Sequence, residues 1–367
     1  MHVPWGWIKQ RPHFFAEYLS KDYDIDILYK YPLKVKKNHL VNKNNYKLNI
    51  KGFQQLPFYK IPFLSNFFIC QQINKLIFSI SISKKHFDKY DYVWITSVSL
   101  YSIIKPFISS KTKIIWDCMD DELEFGNVKY NRHLLKKTTI AESELIRRAN
   151  TIFCSSDYLS NKIQKRTGFF RNIFIVNNAI QLPADKEQLA PNDKEKNDLS
   201  FLESLPNIFM YIGTISEWFN FDIIINALNE NSDMHIVLIG PNDVPIIQHE
   251  RIIHLGVIER KWIFHYMEKA KALIMPFTVN ELIKSVNPVK LYEYIFAYKP
   301  ILAPSYKEAE KFGDYIYIYK SEDDFLNMAE KIISGEIKCR KSESEYKDFA
   351  NNNQWENRCQ QVKKHIN

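Results

Sequence analysis

Ile208-Phe209-Met210-Tyr211-Ile212-Gly213-Thr214 is followed by His235-Ile236-Val237-Leu238-Ile239-Gly240-Pro241 and then by Ile252-Ile253-His254-Leu255-Gly256. Each is a short apolar run, rich in branched side chains, that stops at a glycine. Such runs read as buried strands, and the helical spacing of Phe221 to Leu228 and Lys261 to Lys271 supplies crossovers between them. Ala272 to Met275 continues the series, ending at Pro276-Phe277, and Ile301 to Ala303 adds another strand. Strands alternating with helices predict a parallel, doubly wound sheet, because parallel neighbours need a crossover connection. One strand-end glycine is explained by a tight turn. Several in register predict a nucleotide cleft at the carboxyl ends of the strands.

Between the last two strands lies Asn287-Pro288-Val289-Lys290-Leu291-Tyr292-Glu293-Tyr294-Ile295-Phe296. Asn287 is a good N-cap and Pro288 suits the first turn of a helix. Lys290 and Glu293, three residues apart, then share a face near the positive end of the helix dipole. Taken alone the pair is a surface ion pair. Behind a row of strand-end turns it becomes a candidate grip, Lys290 on a phosphate and Glu293 on a ribose diol.

The first half has shorter elements. Pro4-Trp5-Gly6-Trp7-Ile8-Lys9-Gln10-Arg11-Pro12-His13 is an aromatic, basic loop feeding a helix at Phe14 to Leu19. Only Met1 to Val3 precede it, so the strand that normally opens an α/β domain is very short here or the start is unusual. Strands are expected at Asp24 to Tyr29, Tyr92 to Ile95, Lys113 to Trp116, Thr151 to Cys154 and Ile173 to Val176, with a long helix at Leu134 to Arg148. Beyond the third of these comes the acidic cluster Asp117-Cys118-Met119-Asp120-Asp121-Glu122, where open α/β sheets place their ligands. Its plain alternative is helix capping. The Phe- and Ile-rich stretch from Phe53 to Phe87, with lysines at intervals, fits core helix or a patch dipping into a bilayer interface.

Composition bounds these readings. At 367 residues the chain fits two domains. Gln181 to Pro206, polar with three prolines, is the natural linker, and a closing helix from about Glu343 to His365 carries Trp355. Residues 1–178 hold 28 Lys and Arg against 14 Asp and Glu, which leaves 22 against 28 for the remainder. The basic half therefore suits an anionic partner such as a membrane surface, a lipid-linked pyrophosphate or nucleic acid. No nucleic-acid recognition motif accompanies the charge. Five scattered cysteines suggest buried, reduced thiols rather than a metal or disulfide framework. No long apolar span or signal-peptide pattern is evident, so a cytoplasmic protein is expected. The absence of GxGxxG after a strand argues against a dehydrogenase.

Four blocks, PWGWIKQRPHFFAEYL, WDCMDD, YIGTISEWF and PF followed by NPVKLYEYIFAYKPILA, together resemble the GT-B glycosyltransferases, in particular the bacterial surface-polysaccharide group with teichuronic-acid-type transferases. The resemblance implies an α/β fold of two Rossmann-like domains with parallel sheets facing a central cleft. It divides the chain into an acceptor domain at 1–180, a linker at 181–206, a nucleotide-sugar domain at 207–340 and a terminal helix at 341–367 that returns to the first domain. It places the donor, a UDP-sugar, at Gly213, Thr214, Gly240, Gly256, Ile258, Asn287, Pro288, Lys290, Leu291 and Glu293, with Glu293 on the ribose and Lys290 on the diphosphate. Trp5, Arg11 and His13 fall on the acceptor side.

One departure matters. Many retaining members carry a second glutamate eight positions before the ribose-binding one, and here that position is Ser285. An inverting reaction, with Asp120 or secondarily Asp121 as the base that takes the acceptor proton, is then favoured. The resemblance further implies no metal or cofactor, a glycan or lipid-pyrophosphate-linked acceptor, no nucleic acid, and peripheral contact with the inner face of the plasma membrane through the basic half. The competing expectation is a non-catalytic GT-B module that binds glycan or nucleotide.

Overall fold

A computed structural model of the chain describes residues 1, 5, 9–32, 48–55, 87, 89–168, 172–183 and 193–366. Most of the aromatic stretch, residues 56–86, lies outside the described residues, as does Val3 at the expected opening strand. The chain divides into two compact units: residues 1–177 with 355–367, and residues 178–354.

In unit 1, β1 (Ile25–Pro32) pairs in parallel with β2 (Leu48–Gln55). A second parallel sheet runs β3 (Tyr92–Ile95), β4 (Lys113–Cys118), β5 (Thr151–Cys154), β6 (Ile173–Ile175) in that order. Three crossover helices start on side-chain caps that satisfy otherwise orphan N–H groups. Ser97 caps α2 (Val98–Ile104), Asn131 caps α3 (Arg132–Arg148) and Ser156 caps α4 (Asp157–Thr167). Ile95, Ile114, Trp116, Leu145, Ile152 and Ile163 close the core. Cys118 and Cys154 are register partners on β4 and β5, both buried and reduced.

The terminal segment is two helices rather than one. Among the residues at 341–367, α10 (Glu343–Asn352) belongs to unit 2 and α11 (Trp355–Lys363) to unit 1, with the break at Asn353-Gln354. Trp355 is 1% exposed. Its ring stacks on Phe14 at 4.7 Å and meets Phe15 edge-on at 5.5 Å, both on α1 (Arg11–Leu19).

Unit 2 is a six-stranded parallel sheet of β7 (Ile208–Ile212), β8 (His235–Ile239), β9 (Ile252–Gly256), β10 (Ala272–Ile274), β11 (Ile301–Pro304) and β12 (Tyr317–Tyr319). Its order is β12-β11-β10-β7-β8-β9. Growth therefore runs outward from β7 in one direction and from β10 in the other. This is the dinucleotide-fold order, with its topological switch point between β7 and β10. The outer strand β12 and its helix α9 (Glu322–Ile333) were not foreseen, although Ser321 and Asp324 form a capping box ahead of the apolar positions Phe325, Leu326, Ala329 and Ile332.

The polar segment 181–206 is not all linker. Asp193–Glu203 is helical and its Leu202, 1% exposed, enters the core of unit 2 with Leu199, three positions earlier on the same face, packed against it. Ile180 is fully buried and bridges to Gln354, so unit 2 is sealed where both its ends meet.

Candidate functional site

The switch point of unit 2 is built from two loops. The loop after β7 and the loop after β10 are tied by Asn220 N–H donating to Pro276 O at 2.8 Å and Thr278 N–H donating to Trp218 O at 2.8 Å. Asn220 then caps α5 (Phe221–Glu230), and Asn280 caps the short α6 (Glu281–Ser285). The glycine turns pack in a row beside them. Gly213 N–H donates to Ile239 O at 2.9 Å, and Gly240 N–H donates to Gly256 O at 2.8 Å. A side chain at Gly240, whose φ is +138°, would place its Cβ 2.0 Å from Gly213 O. That glycine is thus explained by the close approach of two turns. Thr214 offers its carbonyl to the Tyr211 hydroxyl at 2.8 Å.

α7 (Val289–Phe296) follows α6 and is docked on the end of β7 by Tyr294. The buried hydroxyl of that residue accepts from Ile212 N–H at 2.8 Å. Tyr294 was missed in the sequence, where it reads only as one more apolar position. The Tyr294 bond holds α7 at the carboxyl end of the switch strand β7.

The start of α7 differs from expectation. Pro288, with φ −77° and ψ 96°, is itself the N-cap residue. Asn287 caps nothing on α7; it is 2% exposed and acts as a buried tether. Its Oδ1 accepts from Asn178 N–H at 2.9 Å and from Tyr292 at 3.3 Å, and its Nδ2 donates to Glu308 Oε2 at 3.1 Å. Asn178 Nδ2 returns a bond to Asn287 O at 2.7 Å. Because Pro288 holds the N-cap position, Asn287 stands one residue outside the helix and its side chain is used for long-range bonds.

Lys290 and Glu293 form the expected pair, Nζ to Oε2 at 2.7 Å. A second cation, Arg260, was not foreseen. Its Nη1 lies 2.7 Å from Glu293 Oε1. The Glu293 side chain is 3% exposed, against 29% for Lys290 and 33% for Arg260. Burial alone would raise the Glu293 carboxyl; the two cations outweigh it and hold the group at about 2. It is therefore a fixed carboxylate, an acceptor only, with half-open cations at its rim. Arg260 carried a faint signal, since it directly follows the strand-end turn Gly256 to Glu259.

Other expected donor residues play packing parts. Leu291 is fully buried and Ile258 is 8% exposed, both in the apolar core, so each offers a ligand only its backbone. Ser285 is fully buried, its hydroxyl donating to Leu282 O at 2.7 Å.

In unit 1 the acids after β4 separate into distinct roles. Asp117, fully buried, is held by Arg11, whose Nε lies 2.9 Å and Nη2 2.8 Å from its Oδ1. Arg11 Nη1 also donates to Val176 O at 2.6 Å. Asp121, 2% exposed, is ion-paired with Lys162 of α4, which removes it as a free base. Glu122 accepts from the N–H groups of Val98 and Ser99 and so helps cap α2. Asp120 is half-buried, and among the described residues no hydrogen bond or ion pair engages its carboxylate. Burial pushes it up to about 6; Arg11 opposes this and Asp117 and Asp121 add to it. Neither Asp120 nor Asp121 caps the following helix, whose cap residue is Phe125.

The three acceptor-side candidates are all buried. Arg11 is 5% exposed and committed to Asp117. His13 is 3% exposed and completes the capping box of α1, accepting from Gln10 N–H at 3.2 Å. Trp5 is 2% exposed, packed with Ile27 and Tyr29 and 5.2 Å from the His13 ring. Arg11, Pro12, His13, Phe14 and Phe15 are all buried, so the first turn of α1 is enclosed on every side.

No family model matches the chain. TuaH of Bacillus subtilis (strain 168), assigned to teichuronic acid biosynthesis as a glycosyltransferase, is 28% identical over 258 residues. That match spans 65% of this chain and 62% of TuaH. Among solved structures, Anabaena HepE in complex with UDP-glucose aligns over 96% of this chain and 94% of its own, with a TM-score of 0.68 and 13% identity. Sucrose-phosphate synthase from Thermosynechococcus elongatus gives 0.70 at 12% identity over 96% and 91%. WaaG, a glycosyltransferase of lipopolysaccharide biosynthesis, gives 0.66 at 11% identity over 98% and 96%.

The chain has the GT-B fold.

Within that GT-B framework, the switch-point loops, Lys290, Glu293 and Arg260 belong to unit 2, and Asp120 to unit 1. Among the described residues no helix is long and apolar enough to cross a membrane.

Proposed function

We propose that this chain is a glycosyltransferase that moves a sugar from a UDP-sugar to a glycan or lipid-pyrophosphate-linked acceptor during synthesis of a bacterial surface polysaccharide. The observation that carries the reading is Glu293, a buried carboxylate held ionised beside half-open Lys290 and Arg260, on a helix docked at the Rossmann switch point. A ribose diol suits the carboxylate and a diphosphate suits the cations. TuaH's role in teichuronic acid biosynthesis and HepE's UDP-glucose support the substrate class.

In this reading the leaving UDP is neutralised by Lys290 and the backbone dipoles of unit 2 rather than by a metal ion. Asp120 takes the proton of the acceptor hydroxyl as its oxygen attacks the anomeric carbon, with inversion. Ser285, which carries no charge for the donor sugar, favours that course over retention. The net positive charge of residues 1–178 supports a peripheral site of action at the inner face of the plasma membrane, where lipid-linked acceptors reside.

The test is a panel of nucleotide sugars scored by UDP release, followed by the anomeric configuration of any product. Lys290→Ala should lower turnover on the best donor by about 100-fold or more, the scale of losing one preorganised donor to a leaving group. Undiminished turnover in that variant would sink the donor assignment. A product of retained configuration would remove Asp120 as base.

A further inference from the structure

Glu293 carries one cation on each carboxylate oxygen, Arg260 on Oε1 and Lys290 on Oε2, both at 2.7 Å. The two are held differently. Lys290 stands one turn earlier on the same helix, on a flexible stem that can swing to a phosphate. Arg260 arrives from the segment Arg260–Trp262 after β9, beside Trp262, which is 3% exposed. Its Nη2 also donates to Gln181 O at 3.4 Å, so its planar fork spans two partners. It has no equivalent freedom to follow a diphosphate without leaving both.

We propose that Arg260 is the positioning residue of the ribose grip: it stays on Oε1 when Lys290 moves to the diphosphate, and so keeps Glu293 oriented with its remaining lone pairs toward two vicinal hydroxyls. The inference rests on the nucleotide-donor reading above. A carboxylate has about four acceptor sites. Arg260 occupies one, which leaves enough for a diol once Lys290 departs. With both cations gone, a carboxyl as buried as Glu293 takes up a proton and turns one acceptor into a donor, because desolvation disfavours its charge. Arg260 thus lets one lysine serve the phosphate without cost to the ribose contact.

The experiment measures the affinity of UDP and of 2′,3′-dideoxy-UDP by calorimetry at pH 7.5 and 5.5, for the wild-type chain, Arg260→Gln and Arg260→Lys. Arg260→Gln should weaken UDP by about tenfold at pH 7.5, the scale of one charge-assisted contact, and further at pH 5.5. The dideoxy analogue should change by less than about twofold. Arg260→Lys, which keeps the charge, should retain the pH dependence of the wild type. Equal losses for both ligands, a loss that ignores pH, or no loss at all would each overturn the inference while leaving the donor reading intact. A wild-type chain that binds neither ligand would overturn the donor reading and the inference with it.

Discussion

Asp120 gives the sharpest prediction. Its carboxylate is engaged by no hydrogen bond or ion pair among the described residues, and burial sets it at about 6. A general base works only when deprotonated, so donor turnover should be full above pH 7 and fall below pH 6. At pH 5 a group titrating near 6 is about one-tenth ionised, and the rate should drop to roughly a tenth of its plateau. Asp120→Asn removes the base while nearly preserving shape. Turnover should then fall by about 100-fold to 10,000-fold with UDP affinity unchanged. The assay is UDP release from the best donor of the panel, with water or acceptor glycan as nucleophile, from pH 5 to 8, together with calorimetric UDP binding. A flat profile across that range, or an Asp120→Asn variant keeping more than a tenth of wild-type turnover, would refute the assignment. Parallel loss of turnover and UDP affinity would indicate a structural part.

Three further outcomes follow from packing and charge. Glu293 is held at about 2 against an ordinary 4.5, so its charge contributes about 3 kcal/mol to folding above pH 4.5, lost as pH falls from 4.5 toward 2; the gap in urea midpoint between wild type and Glu293→Gln should be wide at pH 7 and narrow by pH 3. Arg11→Ala leaves Asp117 buried and uncompensated, and should cost about 3–5 kcal/mol, read as a lowered thermal midpoint that Asp117→Asn partly restores. Gly240→Ala must accommodate both a φ of +138° and a Cβ 2.0 Å from Gly213 O, so it should yield little soluble protein or a midpoint many degrees lower, whereas Gly335→Ala, with open space around it and φ +84°, should cost only the backbone strain of about 1–2 kcal/mol.

Much of the fold was legible because buried parallel strands are short apolar runs that end in turn residues. β7 and β8 are such runs, the edge strand β9 keeps the apolar pattern while half-exposed, and β3 and β5 match their expected bounds. The terminal segment was read as one helix because helical spacing continues on both sides of Asn353-Gln354. The break shows in the non-helical Asn353, in the bridge of Gln354 to Ile180, and in the assignment of α10 and α11 to different units. The aromatic and basic residues near the start were read as a loop feeding a helix, and Trp5, Arg11 and His13 are all buried. Composition reports what a side chain could bind, and packing decides what it does bind.

The same division runs through the candidate site. Spacing alone placed Lys290 and Glu293 on one helical turn, since residues three apart are neighbours on any α-helix. Local geometry could also set acids at the end of β4. What it could not do was distinguish three aspartates within five residues. Tertiary structure gave Asp117 to Arg11 and Asp121 to Lys162, and left Asp120 unengaged among the described residues. It likewise brought Arg260 to Glu293 across 33 positions of sequence and docked Tyr294 on Ile212 across 82. Periodicity is a property of neighbours along the chain, whereas partner choice and burial depend on which distant strands and helices close around a group.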